Sequence, residues 1–441
     1  MSLKFRRVLL GAGAVALLSA GVMAWQPGTG YRQADAATDY QQLQKFSQVM
    51  EMVRQAYVEE VSDEKLIGGA LSGMLSSLDP HSTYLDKDMY KQMNVDTKGE
   101  FGGLGIEIQA AEGGIRIVSP IEDTPADRAG IKAGDLIIKI DDELARDMSL
   151  FEAVKLMRGK PGTSIVLTIF REGENAPMEV KITRAIIEVK SVKGDMLAPG
   201  YAYLRVTQFQ QPTVTLLSKK IRELKKRAGG NLSGAVLDLR NNPGGLLNQA
   251  VAVSDLFLEK GNIVSTKSRA GKSLSFDAQP GDILQGLPLI VLMNNGSASA
   301  SEIVGGALQD HHRAIVMGTK SFGKGSVQSV VPLNDGTAIK VTTALYYTPS
   351  GRSIQATGID PDILVEQVAL KKDDQAKSSL PSVSERNLKG HLENGNGKKG
   401  NKSKKAEAGE GPSDAMKERL ELDTQLQRAL DLLRGLHALR G

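Results

Sequence analysis

The apolar positions of this 441-residue chain change period several times along its length. Lys4, Arg6 and Arg7 precede an apolar run from Val8 to Trp25, rich in Leu, Ala and Gly. A basic segment followed by such a run is a secretory leader, and Ala34 and Ala36 supply a small-x-small cleavage site before Ala37. The run also approaches the length that spans a bilayer, so an uncleaved anchor is the alternative reading of residues 1–36. Either version sends the remainder out of the cytoplasm. Phe46, Met50, Val53 and Tyr57, then Leu66, Ala70, Met74 and Leu78, recur at three- and four-residue intervals. That spacing predicts an N-terminal helical region over 37–97, with Asp79-Pro80 as a stop. From Phe101 to Ala185 the period shortens to two. Ile115–Val118, Asp135–Ile140 and Ser164–Ile169 read as strands with one short helix, Leu150–Met157, between the last two. Residues 98–186 are therefore a small β-rich domain. Over 187–370 the runs Ala235–Leu239, Pro288–Met293 and Ala314–Met317 are continuously apolar, as central strands covered on both faces must be, and they alternate with helical segments. The expected class is multidomain α+β, with the β-rich domain placed before an α/β layered core and helices at both ends. Residues 371–412 are too polar to bury a core and read as a disordered linker. A last helix over 413–441, capped by Ser413 or Asp414, carries one apolar stripe through Met416, Leu422, Leu426, Leu430, Leu433 and Leu436. That stripe needs a surface, on its own chain or on another copy. The long linker favours a second copy, hence a homo-oligomer formed through 413–441.

Charge and composition narrow the chemistry. The net charge is +4, but the leader carries +3, the linker +4, and the last helix is balanced, which leaves residues 37–370 at −3. The basic excess belongs to export and to a tether, and aromatics are only 4%, so a nucleic-acid partner has no support. Cysteine is absent, which removes disulfides, thiolate metal sites and cysteine nucleophiles. Of five histidines, His391 lies in the linker, His437 in the last helix, His311 and His312 are adjacent, and His81 follows Asp79-Pro80 in a turn. No pair has metal-ligand spacing, so no metal or cofactor is expected.

What remains is serine and lysine. Asn294–Glu302 lies between a buried-type strand and a helix, a junction that lifts a side chain out of the sheet and aims free backbone N–H groups at it. Lys324 sits between Gly323 and Gly325, which allow the backbone to close around an amine. A buried amine loses affinity for its proton and can take one from a serine hydroxyl. Gln328, four residues on, shares the Lys324 face in either a helix or a strand and can orient the amine. Taken singly, the serine turn also reads as a helix cap and the lysine as a solvated charge. Two further motifs overlap this segment. Gly318–Lys324 matches G-x-x-x-x-G-K, but Gly325 stands where a phosphate-binding loop needs Ser or Thr. Ser321–Lys324 matches S-x-x-K without the helix that should follow it.

Together these segments resemble the carboxyl-terminal processing proteases, secreted serine peptidases with an embedded PDZ domain. Ser297–Glu302 matches the family's Ser-Ala-Ser-Ala-Ser-Glu stretch, Phe322–Gln328 its Phe-Gly-Lys-Gly-x-Val-Gln stretch, and Leu237–Leu246 a third. The family usually has Thr at the position of Ser321. The resemblance implies Ser299 as nucleophile, Lys324 as general base and Gln328 as the residue that holds it. The oxyanion hole is expected from the N–H groups of Gly244 and Ala300, with Gly244 chosen over its neighbour Gly245. The β-rich block resembles a PDZ domain whose carboxylate-binding loop is Gly103, Leu104, Gly105 and Ile106, walled by the Leu150–Met157 helix. It would capture a protein's C-terminal tail by β-augmentation. The resemblance further implies a periplasmic enzyme acting on exported proteins with accessible tails, cell-wall hydrolases among them, in some members with an adaptor. A membrane contact would come only through a retained leader. The rivals are an inert PDZ scaffold that only binds tails, and a nucleotide hydrolase.

Overall fold

The computed structural model describes residues 36–121, 123–174, 176–188, 190–367 and 410–439. All but the last residue of the expected leader, and nearly all of the expected linker, lie outside the described residues. The chain divides into two compact units, 1–70 and 71–441. The described part of the first is helical. α1 spans Ala36–Ala56, and α2, Asp63–Ser76, opens with Asp63 and Glu64, acids that suit the positive end of a helix dipole. Arg54 bridges to Asp63 at 2.9 Å, and α1 leaves Leu43, Phe46 and Met52 exposed. Among the described residues no helix is long and apolar enough to cross a membrane.

In the second unit, α3 (Lys87–Lys98) starts where the Asp86 carboxylate accepts the Met89 N–H, and ends at Gly99 in the left-handed conformation. The β-rich domain follows. Its sheet runs in the order Ile106–Ala111, Gly114–Pro120, Leu136–Ile140, Ser164–Phe170 and Met178–Thr183, with Glu143–Leu144 added to the third strand. α4 (Pro125–Arg128) and α5 (Leu150–Met157) close it, α5 beginning with a Ser149–Glu152 capping box. Ile117, Ile137, Leu167 and Ile169 form its core together with Ala153 of α5.

The layered core holds a six-stranded sheet ordered Val192–Ala198, Tyr201–Val206, Gly234–Asp238, Leu289–Met293, Ile315–Gly318 and Ile363–Leu364. The first pair is antiparallel and the rest parallel. One face packs on α6 (Thr213–Arg227), α7 (Leu247–Asp255) and α8 (Ala300–Asp310), burying Leu204, Leu237 and Val291 with Leu217, Val253 and Ile303. The other face buries Tyr203, Val236, Ile290 and Leu292. Both faces are covered, which is why these strands are apolar without alternation. A second, five-stranded antiparallel sheet brings Ser326–Pro332, Ala338–Tyr347 and Thr83–Leu85 together.

The C-terminal segment differs from its expectation in one respect. It is two helices, α9 (Asp414–Leu422) and α10 (Thr424–Ala438), separated by Asp423 in extended conformation, whose carboxylate caps α10 through the Leu426 N–H. Of the apolar stripe, Met416, Leu426, Leu430 and Leu433 are buried against the outer face of the core sheet, while Leu422 and Leu436 stay partly exposed. Burial of such side chains stabilises by about 1.5–3 kcal/mol each.

Candidate active site

The strand Leu289–Met293 ends in a tight turn that delivers Ser299 to the head of α8. Ser297 Oγ donates to Leu239 O at 2.9 Å and accepts the Asn294 N–H at 3.0 Å, which closes the turn. Ser299 itself sits at φ 55°, ψ −112°, a conformation a β-carbon disfavours. Such strain is of order 1–3 kcal/mol and persists only where neighbours over-determine it. Here the neighbour is Glu302, fully buried. Its Oε2 accepts the Ser299 N–H at 2.7 Å and the Lys324 N–H at 2.9 Å. Its Oε1 accepts the Gly323 N–H at 2.7 Å and Ser321 Oγ–H at 2.6 Å. One carboxylate thus fastens the serine turn to the lysine loop, although 22 residues separate Glu302 from Lys324.

Ser299, Lys324 and Gln328 line one cleft of about 950 Å³. Burial first, and then the positive charge of Lys340, hold the Lys324 amine below the usual lysine range, while Asp79 and Glu302 act in the opposite direction. Gln328 donates from Nε2 to Ser326 Oγ at 2.9 Å and to Thr342 Oγ1 at 3.3 Å. Its amide oxygen is left as the acceptor for a neighbouring amine. Thr342 Oγ1 in turn donates to Asp79 at 3.1 Å. Asp79 also accepts the His81 and Ser82 N–H groups, so Asp79–Ser82 is an Asx-type turn that props the lysine-bearing sheet. His81 is held below its ordinary value by burial and then by the Lys324 charge. Both overlapping motifs dissolve in three dimensions. Gly318–Lys324 leads into the strand Ser326–Pro332, with no helix to receive a phosphate, and Ser321 Oγ is buried between Glu302 and the Ile359 N–H.

At the expected oxyanion hole the two adjacent glycines differ in their hydrogen bonding. Gly244 packs on the nucleophile turn so closely that a Cβ there would stand 2.9 Å from Ser299 Cβ and 3.0 Å from Ala300 N. Its N–H, however, is given to Asn242 Oδ1 at 2.9 Å. Gly245 is exposed, lines the cleft, and has no acceptor for its N–H among the described residues. Ala300, first residue of α8, likewise keeps a free N–H, as helix starts do. The donors left without a protein acceptor along these two turns are therefore those of Gly245 and Ala300. Gly103–Ile106 stand apart from this cleft, at the edge of the β-rich domain. The Leu104 carbonyl accepts the Ala126 N–H and the Gly105 carbonyl the Ile121 N–H, both inward. Because peptide planes set N–H opposite C=O, the N–H groups of Gly105 and Ile106 turn outward. Gly105, at φ 81°, admits no side chain, since a Cβ would meet Thr124 at 2.3 Å.

Sequence reasoning passed over three contributors. Glu302 had a signal, the S-x-x-E spacing of a capping box with Ser299. Lys340 and Asp79 had none, because strand pairing alone brings them to Lys324. Among the described residues no cluster of three His, Asp or Glu side chains is arranged to hold a metal.

Comparison with known proteins agrees with this architecture. The profile of peptidase family S41 matches residues 200–365, that of PDZ domains residues 102–182, and that of the activating protease CtpB N-terminal domain residues 22–89. A carboxy-terminal-processing protease of Bartonella bacilliformis is 48% identical over 402 residues, covering 90% of this chain and 89% of its own. Carboxy-terminal processing protease CtpA of Bacillus subtilis is 36% identical over 336 residues, 76% of this chain and 71% of its own. Among solved structures, the photosystem II D1 C-terminal processing protease is 29% identical, covering 75% of this chain and 89% of its own, with a TM-score of 0.45. The chain belongs to the carboxyl-terminal processing proteases, serine-type peptidases of family S41 that carry a PDZ domain.

Proposed function

We propose that this protease cleaves with a Ser299–Lys324 dyad. Neutral Lys324, oriented by the Gln328 amide oxygen, takes the hydroxyl proton as Ser299 Oγ attacks the scissile carbonyl. The N–H groups of Gly245 and Ala300 receive the developing oxyanion, where preorganised donors act most strongly. Lys324 then passes the proton to the leaving amine, and water repeats the sequence on the acyl-enzyme to release the new C-terminus. No metal or cofactor enters the scheme. Apolar cleft walls, among them Met89, Phe209, Leu246 and Tyr346, suit an extended peptide with apolar side chains. The outward N–H groups of Gly105 and Ile106 suit a terminal carboxylate, so the PDZ domain would hold the tail while the core cuts. With the leader, the substrates are exported proteins of the periplasm with accessible C-termini, cell-wall hydrolases among them, and an adaptor is a partner rather than a substrate.

The observation that carries this reading is the single buried carboxylate of Glu302, which ties the serine and the partly desolvated lysine into one site. An inert scaffold would have no use for that construction. Ser299→Ala and Lys324→Ala should each abolish digestion of labelled casein while circular dichroism stays unchanged. Full activity in either purified variant refutes the dyad.

A further inference from the structure

The oxyanion loop has a second anchor, on the far side from the cleft. Arg240, five residues before Gly245, is buried, and every nitrogen of its guanidinium is engaged. Nε and Nη2 bind Asp238 at 2.9 and 2.7 Å. Nη1 and Nη2 bind both carboxylate oxygens of Asp423 at 2.9 and 2.7 Å, and Nη1 also reaches Gln425 Oε1 at 2.8 Å. Asp238, fully buried, accepts in addition from Tyr203 Oη at 2.7 Å, Arg205 at 3.1 Å and Arg419 at 3.3 Å. Three guanidinium groups converge on Asp238, and Asp423 is the second carboxylate that balances them. The C-terminal helices supply Arg419, Asp423 and Gln425 to this cluster.

Its placement is specific. The apolar contacts of α9 and α10 spread over the sheet face, whereas the ion cluster sits at the carboxyl end of the strand Gly234–Asp238, where the oxyanion loop begins. From Arg240 the loop is stitched to the nucleophile turn at each step. Asn241 N–H binds Asn294 Oδ1 at 2.9 Å, and Asn242 O accepts the Ala298 N–H at 3.0 Å and Ser301 Oγ–H at 2.9 Å. A loop held this way moves as a piece when its Arg240 end moves.

We propose that the C-terminal helical pair clamps the oxyanion loop through Asp423, which is thus a positioning residue for catalysis. Removal of the Asp423 charge leaves three cations around one buried carboxylate, and their repulsion displaces Arg240 and, with it, the Gly245 N–H. Misplacement of a transition-state donor lowers the chemical step more than substrate binding.

The clamp rests on the proposed dyad, and its test separates the two. In the full-length protein, Asp423→Asn is isosteric and still caps α10. Steady-state cleavage of a fluorogenic peptide should lose about tenfold or more in kcat, with KM within about twofold. Affinity for a peptide aldehyde, whose adduct with Ser299 places an oxyanion in the hole, should fall in parallel, and Asp423→Glu should recover part of both. Gln425→Ala, which keeps both carboxylates, should give the same split at smaller amplitude and serves if Asp423→Asn fails to fold. Wild-type kcat and aldehyde affinity in these variants overturn the clamp, as does a loss confined to KM. Cleavage by Ser299→Ala would instead overturn the dyad and the clamp with it, an outcome distinct from a failed clamp on an inert Ser299→Ala background.

Discussion

Glu302→Gln is the most searching perturbation of the site, because it changes one atom and a charge at the point where nucleophile and base are joined. The amide must face two acceptor-hungry sides with only one oxygen. With its NH₂ toward Ser299 and Lys324 it would orphan two backbone N–H groups. With its NH₂ toward Ser321 and Gly323 it orphans the Gly323 N–H, while the Ser321 oxygen, which already accepts the Ile359 N–H, gains the amide as a second donor and its own hydrogen loses its acceptor. The second arrangement wins. A buried unsatisfied N–H costs about 1–3 kcal/mol, and loss of charge assistance in the two surviving bonds adds about 1 kcal/mol each. The easier desolvation of a neutral amide offsets part of this. A net loss of about 2–4 kcal/mol follows, which for a core of this size lowers Tm by roughly 5–15 °C. The activity consequence is separate. The orphaned N–H at Gly323 loosens the loop that carries Lys324, and a misplaced base costs on the order of 10²-fold in kcat. The Glu302 charge also raises the Lys324 pKa, so its removal lowers that pKa and moves the acid limb of the kcat/KM profile to lower pH. Calorimetry and a pH series on a short peptide check both arms. A variant with wild-type Tm, wild-type kcat and an unmoved limb would refute the role assigned to this carboxylate.

Lys340→Gln removes the positive charge that, after burial, most depresses Lys324. The Lys324 pKa should rise, the acid limb of kcat/KM should shift to higher pH, and activity below the limb should fall; an unmoved limb in the pH series would exclude Lys340 as a tuning charge. Gly105→Ala forces a side chain against Thr124 in a backbone conformation that favours glycine. Fluorescence anisotropy should show loss of binding to a C-terminal tail peptide, while hydrolysis of a short peptide that bypasses the PDZ domain continues; intact tail binding would displace the carboxylate site from this loop.

The chain's local chemistry determined its elements. Continuous apolar runs marked the central strands because both sheet faces are covered, period-two runs marked the PDZ strands, and Leu150–Met157 read as the helix that α5 is. The glycine-flanked Lys324 and the serine turn at Ser299 could be picked out from local motifs, although the contacts that fix them, Glu302 to Lys324 and Ser297 to Leu239, span 22 and 58 residues. Contacts between distant segments were not legible. Only the tertiary structure decided that the Gly244 N–H is consumed by Asn242 and that of Gly245 is free, because both glycines look alike until a hydrogen-bond partner is chosen. Only it brought Lys340 and Asp79 to Lys324, through pairing of strands far apart in sequence. And only it decided the fate of the last helices, since an amphipathic stripe states that a surface is needed but not whose. The outer face of the core sheet, with Tyr203, Val236 and Ile290 bare until α9 and α10 cover them, is that surface.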